Sequence, residues 1–300
     1  MCNKKWIKLL VFMVLFFTVE RFCHSITNGF ALTKIHSDLT FNPEWEIPPL
    51  SPEEHQNLMA IFDQQFTFLG NGAQCYAFQS QDNKTVIKFF KHHHMRINSW
   101  LNRIELSPEL HHYRLKLTGG GKERLNLIFG SCKISYDHLK EETGLIYIHL
   151  NKTSHLHKTL TIIDTLGIAH QVDLDQMEFV VQKKATMIYP TLKKWRKEKN
   201  FEAIRQYLDS VIALFSKRLK LGIADNDPIF KRNFGCIESQ AVEIDQSSFF
   251  YSSDLKKPYV QKRTFYFEMV KLRRWVQKHI PEISDYFEYH LNEAILKLDT

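Results

Sequence analysis

Residues 68–91 read FLGNGAQCYAFQSQDNKTVIKFFK. Two glycines, Gly70 and Gly72, close one apolar run, and Lys88 sits inside another, between Val86-Ile87 and Phe89-Phe90. The runs FTFLG, CYAFQS and TVIKFF are short, rich in aromatic and β-branched residues, and separated by turn formers. That pattern predicts three strands joined by hairpins. Glycine gives a tight turn its backbone freedom, so the G-x-G alone says little. The lysine says more. An ammonium in an apolar strand lies on an edge or is paired, because burying it alone is costly. The stretch is either a plain hairpin with a surface lysine or a phosphate cradle with a lysine beside it.

Working outward, the flanks show mixed texture. SPEEH opens a short helix, with Ser51 as N-cap, Pro52 at the first helical position and acids in the first turn. Residues 95–117 carry an apolar stripe at Leu101, Ile104, Leu110 and Leu115, interrupted at Ser107-Pro108, and predict helix. TGGGKE then reads as a loop. LNLIFGSCKIS and GLIYIHL read as strands, LTIIDTLGIAHQVDL as a hairpin and EFVVQKK as a further strand. Residues 200–221 are the clearest helix, with Phe201, Ile204, Leu208, Val211, Ile212, Phe215 and Leu219 on one face and Gly222 as its stop. Short strands follow at FGCIE and AVEID, and the tail from Tyr266 to Leu298 is helical around Pro281. A strand-rich first half joined to a helix-rich second half is an α+β pattern with two lobes. The boundaries fall at 1–25 for a leader, 26–60 for an extension or linker, 61–190 for the strand-rich lobe and 191–300 for the helical lobe.

The 300 residues, 44% of them hydrophobic, hold ample material for a core and exclude a disordered chain. The net charge of +7 is scattered, densest at Lys193–Lys199 (KKWRKEK), which reads as a solvated face. No nucleic-acid motif, heptad or repeat is present, and no nucleic-acid partner is expected. Five cysteines without a CxxC fit neither a zinc site nor a disulfide scaffold. The triplet His92-His93-His94 reads as a solvated loop, since three successive residues cannot face one ion. Asn83 and Asn151 each open a glycosylation-type triplet.

At the N-terminus, MCNKKWIK precedes LLVFMVLFFTV and ERFCHS. Lysines, an apolar run and a polar flank have the form of a signal peptide. The uninterrupted run is short for a span of about 20 residues. Cleaved signal, uncleaved anchor and buried helix stay open. The first two place the chain as exported, secreted or membrane-anchored, with the membrane as a partner through this segment.

The second half adds a polar constellation. After the long helix come Asp225, Asp227 and Asn233 on a loop, and Asp245 at the end of the strand VEID. A carboxylate that orients a hydroxyl, an amide and a carboxylate that hold magnesium, and a lysine on ATP are what phosphoryl transfer needs. The VIK triplet after a glycine hairpin resembles the V-A-I-K element of protein kinases. Over residues 62–255 the chain resembles the protein-kinase-like fold, and GIADND…N and VEID are closer in form to the lipid-kinase branch. The resemblance implies a small antiparallel sheet lobe followed by a reduced helical lobe. It implies Gly70, Gly72 and Lys88 on the nucleotide, with Glu105 or Glu109 pairing the lysine. Asp225 or Asp227 would be catalytic, and Asn233 and Asp245 would be the metal ligands. ATP and Mg²⁺ would be the cofactors and a protein or lipid hydroxyl the substrate. There is no H-R-D tripeptide, and Asp245 is followed by Gln246-Ser247 rather than Phe-Gly. The alternative is therefore a catalytically inactive, kinase-like interaction scaffold.

Overall fold

The computed structural model describes residues 4–95 and 108–299. The chain divides into two compact units, residues 1–96 with 149–180, and residues 97–148 with 181–300. The segment 97–148 belongs with the second unit, whereas its sequence texture grouped it with the strand-rich lobe.

The first unit begins with helix α1 (Lys4–Ile26) and continues to α2 (Pro52–Phe62). Ser51 and Glu54 close a capping box at the start of α2, so two otherwise unsatisfied N–H groups are bonded. Strands β1 (Phe66–Asn71), β2 (Cys75–Ser80) and β3 (Thr85–Phe90) form the expected antiparallel meander. Strand β4 (Leu145–His149) returns the chain to this unit, and the hairpin β5 (Thr159–Ile163) and β6 (Ala169–Asp173) follows. Strand β7 (Phe179–Lys183) begins here and leads back out.

The sheet is mixed rather than antiparallel, which corrects the expectation. β5 runs parallel to β1, with Phe66 opposite Ile162 and Thr67 opposite Ile163. The long connection between β3 and β5 makes this possible, since a parallel neighbour needs a crossover that a hairpin cannot supply. The core is aromatic. Phe30 sets its ring 5.3 Å from both Tyr76 and Phe78, near edge-on, and Phe78 meets Phe89 at 6.0 Å. Such pairs add about 0.5–1.5 kcal/mol each beyond area burial.

The second unit is built on α3 (Pro108–His138), α4 (Ile188–Lys197) and α5 (Phe201–Lys220). Both the predicted loop at 118–123 and the predicted strand at 125–135 lie inside α3. Leu125, Ile128, Phe129 and Cys132 are buried apolar residues of this helix, at helical spacing, and tertiary packing of that face overrides the glycine run at 119–121. In α5, Asn200 caps the first turn and Gly222, at φ +71°, ends the helix. The buried face of α5 packs with α7 (Pro258–His279) and α8 (Ser284–Leu296) into one apolar core that includes Phe215, Phe265, Leu272 and Leu291.

Short strands sit between these helices. They are β8 (Thr186–Met187), β9 (Ile223–Asp225), β10 (Phe234–Ile237), β11 (Gln240–Glu243) and β12 (Phe249–Tyr251), with α6 (Phe230–Asn233) leading into β10. β10 and β11 form a tight hairpin, with Phe234 opposite Glu243 and Ile237 opposite Gln240. Glu238 and Ser239 both take positive φ, as a two-residue turn of the right twist requires. β9 pairs with β12, placing Asp225 opposite Phe249. Among the described residues, Cys23, Cys75, Cys132 and Cys236 are free thiols.

Candidate functional site

The first unit contributes the glycine turn. β1 bulges between Phe68 and Gly70, and the Gly72 N–H donates to the Cys75 carbonyl at 3.0 Å. A Cβ added at Gly70 would meet nothing within 4 Å, and one at Gly72 would reach only the Cys75 carbonyl oxygen at 3.6 Å. Neither glycine has positive φ. The chain's own packing therefore does not demand glycine here, and the space over the turn is open.

Lys88 stands opposite Ala77 on β3, a strand flanked by β2 and β7, and is half-buried. Glu105 lies outside the described residues, and the same holds for the Glu109 side chain, so the expected pairing of Lys88 falls outside them too. The residue that braces the turn is Lys91, which the sequence reading passed over. Its ammonium donates to the Asn71 side-chain oxygen and to the Gly72 carbonyl, and lies 4.6 Å from the centre of the Tyr76 ring. Burial holds its pKa below the usual lysine range. The signal was available. Phe90 stands opposite Cys75, so the next residue along β3 reaches the turn.

His92 corrects the solvated-loop reading. It is buried, and its Nε2 lies 3.0 Å from the Glu178 carboxylate, which also accepts from the Ser37 hydroxyl at 2.6 Å. A short 3-10 turn over His92–His94, directly after β3, turns the first imidazole inward. Asn151 is also buried, its amide bonded both ways to the Asn42 backbone at 2.9 Å. It is a structural clasp rather than an open acceptor for sugar.

In the second unit the polar constellation converges. Asp225 ends β9. Its Oδ1 accepts from the Asp227 N–H and the Ser248 hydroxyl, and its Oδ2 lies 3.3 Å from Arg218. With a side chain 1% exposed, Asp225 is a structural brace. Asp227, two residues on, is 37% exposed and pairs with Arg232 at 3.0 Å. Asn233 donates from its amide to the Asp227 main-chain carbonyl at 2.7 Å and to the Asp227 carboxylate at 3.2 Å. The Asn233 carbonyl in turn accepts from the N–H of Ile244 at 2.7 Å, which brings the following residue, Asp245, alongside. One oxygen of Asp245 accepts from the Ser247 N–H and hydroxyl. The Asn233 amide oxygen and the second Asp245 oxygen accept no hydrogen bond within the described residues. An amide oxygen and a carboxylate oxygen are the hard donors that a small divalent cation takes.

Gln246, which follows Asp245, is buried. Its side chain reaches the Glu243 carbonyl at 3.3 Å, and its own carbonyl accepts from Ser131 on α3. A polar side chain is thus satisfied in the place of an apolar one.

Beneath this loop lies Arg218, 0% exposed, facing three carboxylates. Its Nη2 donates to Glu268, and Nη1 lies 3.3 Å from Asp225 and 3.9 Å from Glu243. Burial pushes the Glu243 carboxyl well above its ordinary value against the pull of Arg218, and Asp225 pushes the same way. Burial likewise raises Glu268, to about 6, with Arg218 opposing and Asp225 assisting.

No family model matches the chain, and no curated protein matches it. Among solved structures it is similar to the bifunctional kinase-methyltransferase WbdD, at 14% identity and a TM-score of 0.33 over 75% of this chain. The chain spans 42% of that protein's length. It is also similar to Rv3197 from Mycobacterium tuberculosis, solved with erythromycin, at 9% identity and a TM-score of 0.33, over 99% of this chain and 95% of that one. Scores this low carry no argument about fold or activity.

Proposed function

We propose that the chain is a membrane-anchored, kinase-like phosphotransferase that moves a phosphoryl group from ATP to a protein or lipid hydroxyl. The observation that carries this reading is the bonded pair Asp227–Asn233, with Asp245 following Ile244, whose N–H donates to the Asn233 carbonyl. Its order, a loop acid, then an amide, then a strand-end acid, is the order that phosphoryl transfer needs. Asp227 is the catalytic candidate. Asp225 is spent on Arg218 and Ser248, whereas Asp227 keeps an exposed carboxylate held by the Asn233 amide. In this reading Asp227 orients the acceptor hydroxyl and takes its proton. Asn233 and Asp245 would hold Mg²⁺, which when bound neutralises charge on the transferring phosphate. Gly70, Gly72 and Lys88 would hold ATP, with the open space over the turn in keeping with phosphate approach and Glu105 as the lysine's partner.

The anchor follows from α1, the one described helix long and apolar enough to cross a membrane, at mean hydropathy 1.7 with none of its window buried. The helix continues to Ile26 and passes directly into residues packed in the first unit, which favours an uncleaved anchor over a signal removed at an extended site.

Titration calorimetry with ATP, with and without Mg²⁺, is the test. The wild type should bind ATP only with Mg²⁺, and Asp245→Asn should abolish that binding. Asp227→Asn should keep binding while lowering turnover about 10²–10⁴-fold, the usual cost of losing a positioned base. A wild type that binds no nucleotide with Mg²⁺ would end the enzyme reading and leave the inactive scaffold.

A further inference from the structure

The β5–β6 turn is unusual for a hairpin tip. Tips are ordinarily polar, yet this one presents Leu166 and Ile168, 49% and 52% exposed, on either side of Gly167. It is not a loose loop. The Asp164 carboxylate accepts from the N–H groups of Leu166 at 2.8 Å and Ile168 at 3.0 Å, and its other oxygen holds His170 at 2.8 Å. Gly167 takes φ +79° to close the turn. Two large apolar side chains are thus fixed outward by a built polar collar.

The exit of α1 lies against this same tip. The Thr165 hydroxyl donates to the Ile26 carbonyl at 2.9 Å. The next residues dock on the glycine-turn end of the sheet. Asn71 donates to the Asn28 carbonyl at 2.6 Å, Tyr76 to the Gly29 carbonyl at 2.5 Å, and Phe30 enters the aromatic core. Because β5 is parallel to β1, the end of β5 and the end of β1 leave the sheet in the same direction. The apolar tip, the helix exit and the glycine turn therefore share one edge of the first unit.

Helix length sets the depth of that edge. From Leu9 to Val19 the uncharged run would rise about 17 Å, short of a hydrocarbon core of about 30 Å. The whole segment Trp6–Ile26, 21 residues, rises about 31 Å and matches it. Spanning therefore requires the helix as far as Ile26, with Lys8 snorkelling to the headgroups at one boundary and Arg21 at the other. That places Ile26, and with it Thr165, at the level where the bilayer meets water.

We infer that the Leu166–Ile168 tip is a second membrane contact, inserted at the headgroup boundary beside the α1 exit, so that the glycine-turn edge of the first unit faces the lipid surface. The occupant of the tip is the bilayer itself. The inference rests on the reading of α1 as an uncleaved anchor.

The experiment uses the full chain in vesicles of phosphatidylcholine and phosphatidylglycerol. A photoreactive benzophenone side chain replaces Leu166, or, as a control, Lys84 in the exposed turn at the opposite end of β2 and β3. After illumination, phospholipid adducts are mapped by peptide mass spectrometry. Adducts at position 166 and none at 84 are expected, with the chain resisting alkaline carbonate extraction. If the chain resists extraction but 166 labels no more lipid than 84, the tip does not touch the bilayer and the inference is overturned. Release of the chain by carbonate would overturn the anchor reading itself, and the tip contact with it.

Discussion

Each unit buries carboxylates, and the two do it in opposite ways. In the first, Asp175 accepts from the N–H groups of His155, Leu156 and His157 at 2.8–3.0 Å and from the Thr153 hydroxyl. Burial alone would raise this carboxyl, but those bonds outweigh it and hold it at about 2. In the second, Asp225, Glu243 and Glu268 share one buried guanidinium. Both Glu243 oxygens and the Arg218 Nε and Nη1 are buried without a hydrogen bond. Asp175 is a satisfied acid that organises a loop. The Arg218 centre is an electrostatically stressed one, and it lies directly under the candidate catalytic loop. The satisfied acid thus stands in the first unit, and the stressed centre in the second, beneath the loop of Asp227.

Removing the shared cation breaks this comparison most severely. Arg218→Met leaves three buried carboxylates with no counter-charge, and breaking a buried ion pair from one side costs about 3–5 kcal/mol. Urea unfolding of the variant should show that loss as a lower midpoint. Glu243→Gln with Glu268→Gln in the same chain should recover part of it. A midpoint equal to wild type would mean that Arg218 does not hold the centre together.

Asp175→Ala is the matching cut in the first unit. It strands three backbone donors around His155–His157, and a buried donor left without a partner costs about 1–3 kcal/mol. The loop is partly open to water, so about 2–3 kcal/mol in total is expected. Hydrogen exchange should rise at those amides while the β10–β11 hairpin keeps its protection. Equal loss of protection in both places would mean that the two acids do not act separately.

These centres also separate what sequence can disclose from what it cannot. β1, β2 and β3 were legible because alternation and turn residues are local signals. The pairing of Phe66 with Ile162 was not, because nothing in either segment names a partner nearly a hundred residues away. α3 was misread because an apolar run flanked by glycines fits strand and helix alike. The spacing of Leu125, Ile128, Phe129 and Cys132 held the right answer. The order Asp225, Asp227, Asn233, Asp245 was legible, and the structure links the first three by hydrogen bonds, with Asp245 bonded to Ser247. The difference in setting between the two aspartates was not, since it depends on Arg218. That residue follows Val211 and Phe215 on the buried face of α5, so its position, rather than its charge, was the clue.

pH sharpens the contrast through its sign. Asp175 has a folded pKa near 2 against an ordinary 3.8. Its contribution is present above 3.8 and lost as pH falls toward 2. Glu268 has a folded pKa of about 6 against 4.5. Here the folded state holds the extra proton, so its contribution is present below 4.5 and lost as pH rises through 6, a change of about 2 kcal/mol. Glu243 adds to the same direction. Denaturation midpoints should therefore fall on both sides of the range between 3.8 and 4.5. Glu268→Gln should flatten the upper fall, and Asp175→Asn the lower. A Glu268→Gln chain that still loses stability in full between pH 4.5 and 6 would remove Glu268 as the cause.

The smallest expected effect on stability decides the most about the site. Asp227 is more than a third exposed, and its partner Arg232 is exposed as well, so their pair is worth about 0–1 kcal/mol. The amide that replaces the carboxylate in Asp227→Asn keeps an oxygen that can accept from Asn233, and the stronger Asn233 bond goes to the main-chain carbonyl, which the substitution leaves in place. Asp227→Asn should therefore shift the unfolding midpoint by less than the pH effect above. Asp225→Asn should shift it more, because its amide oxygen can still accept from Ser248 and the Asp227 N–H but its NH2 then faces the buried Arg218 guanidinium, donor against donor. If both variants lose phosphotransfer but only Asp225→Asn loses stability, the two aspartates divide into a brace and a base as proposed. If Asp227→Asn turns over ATP like wild type, the exposed carboxylate is not the base, whatever its hydrogen bonds.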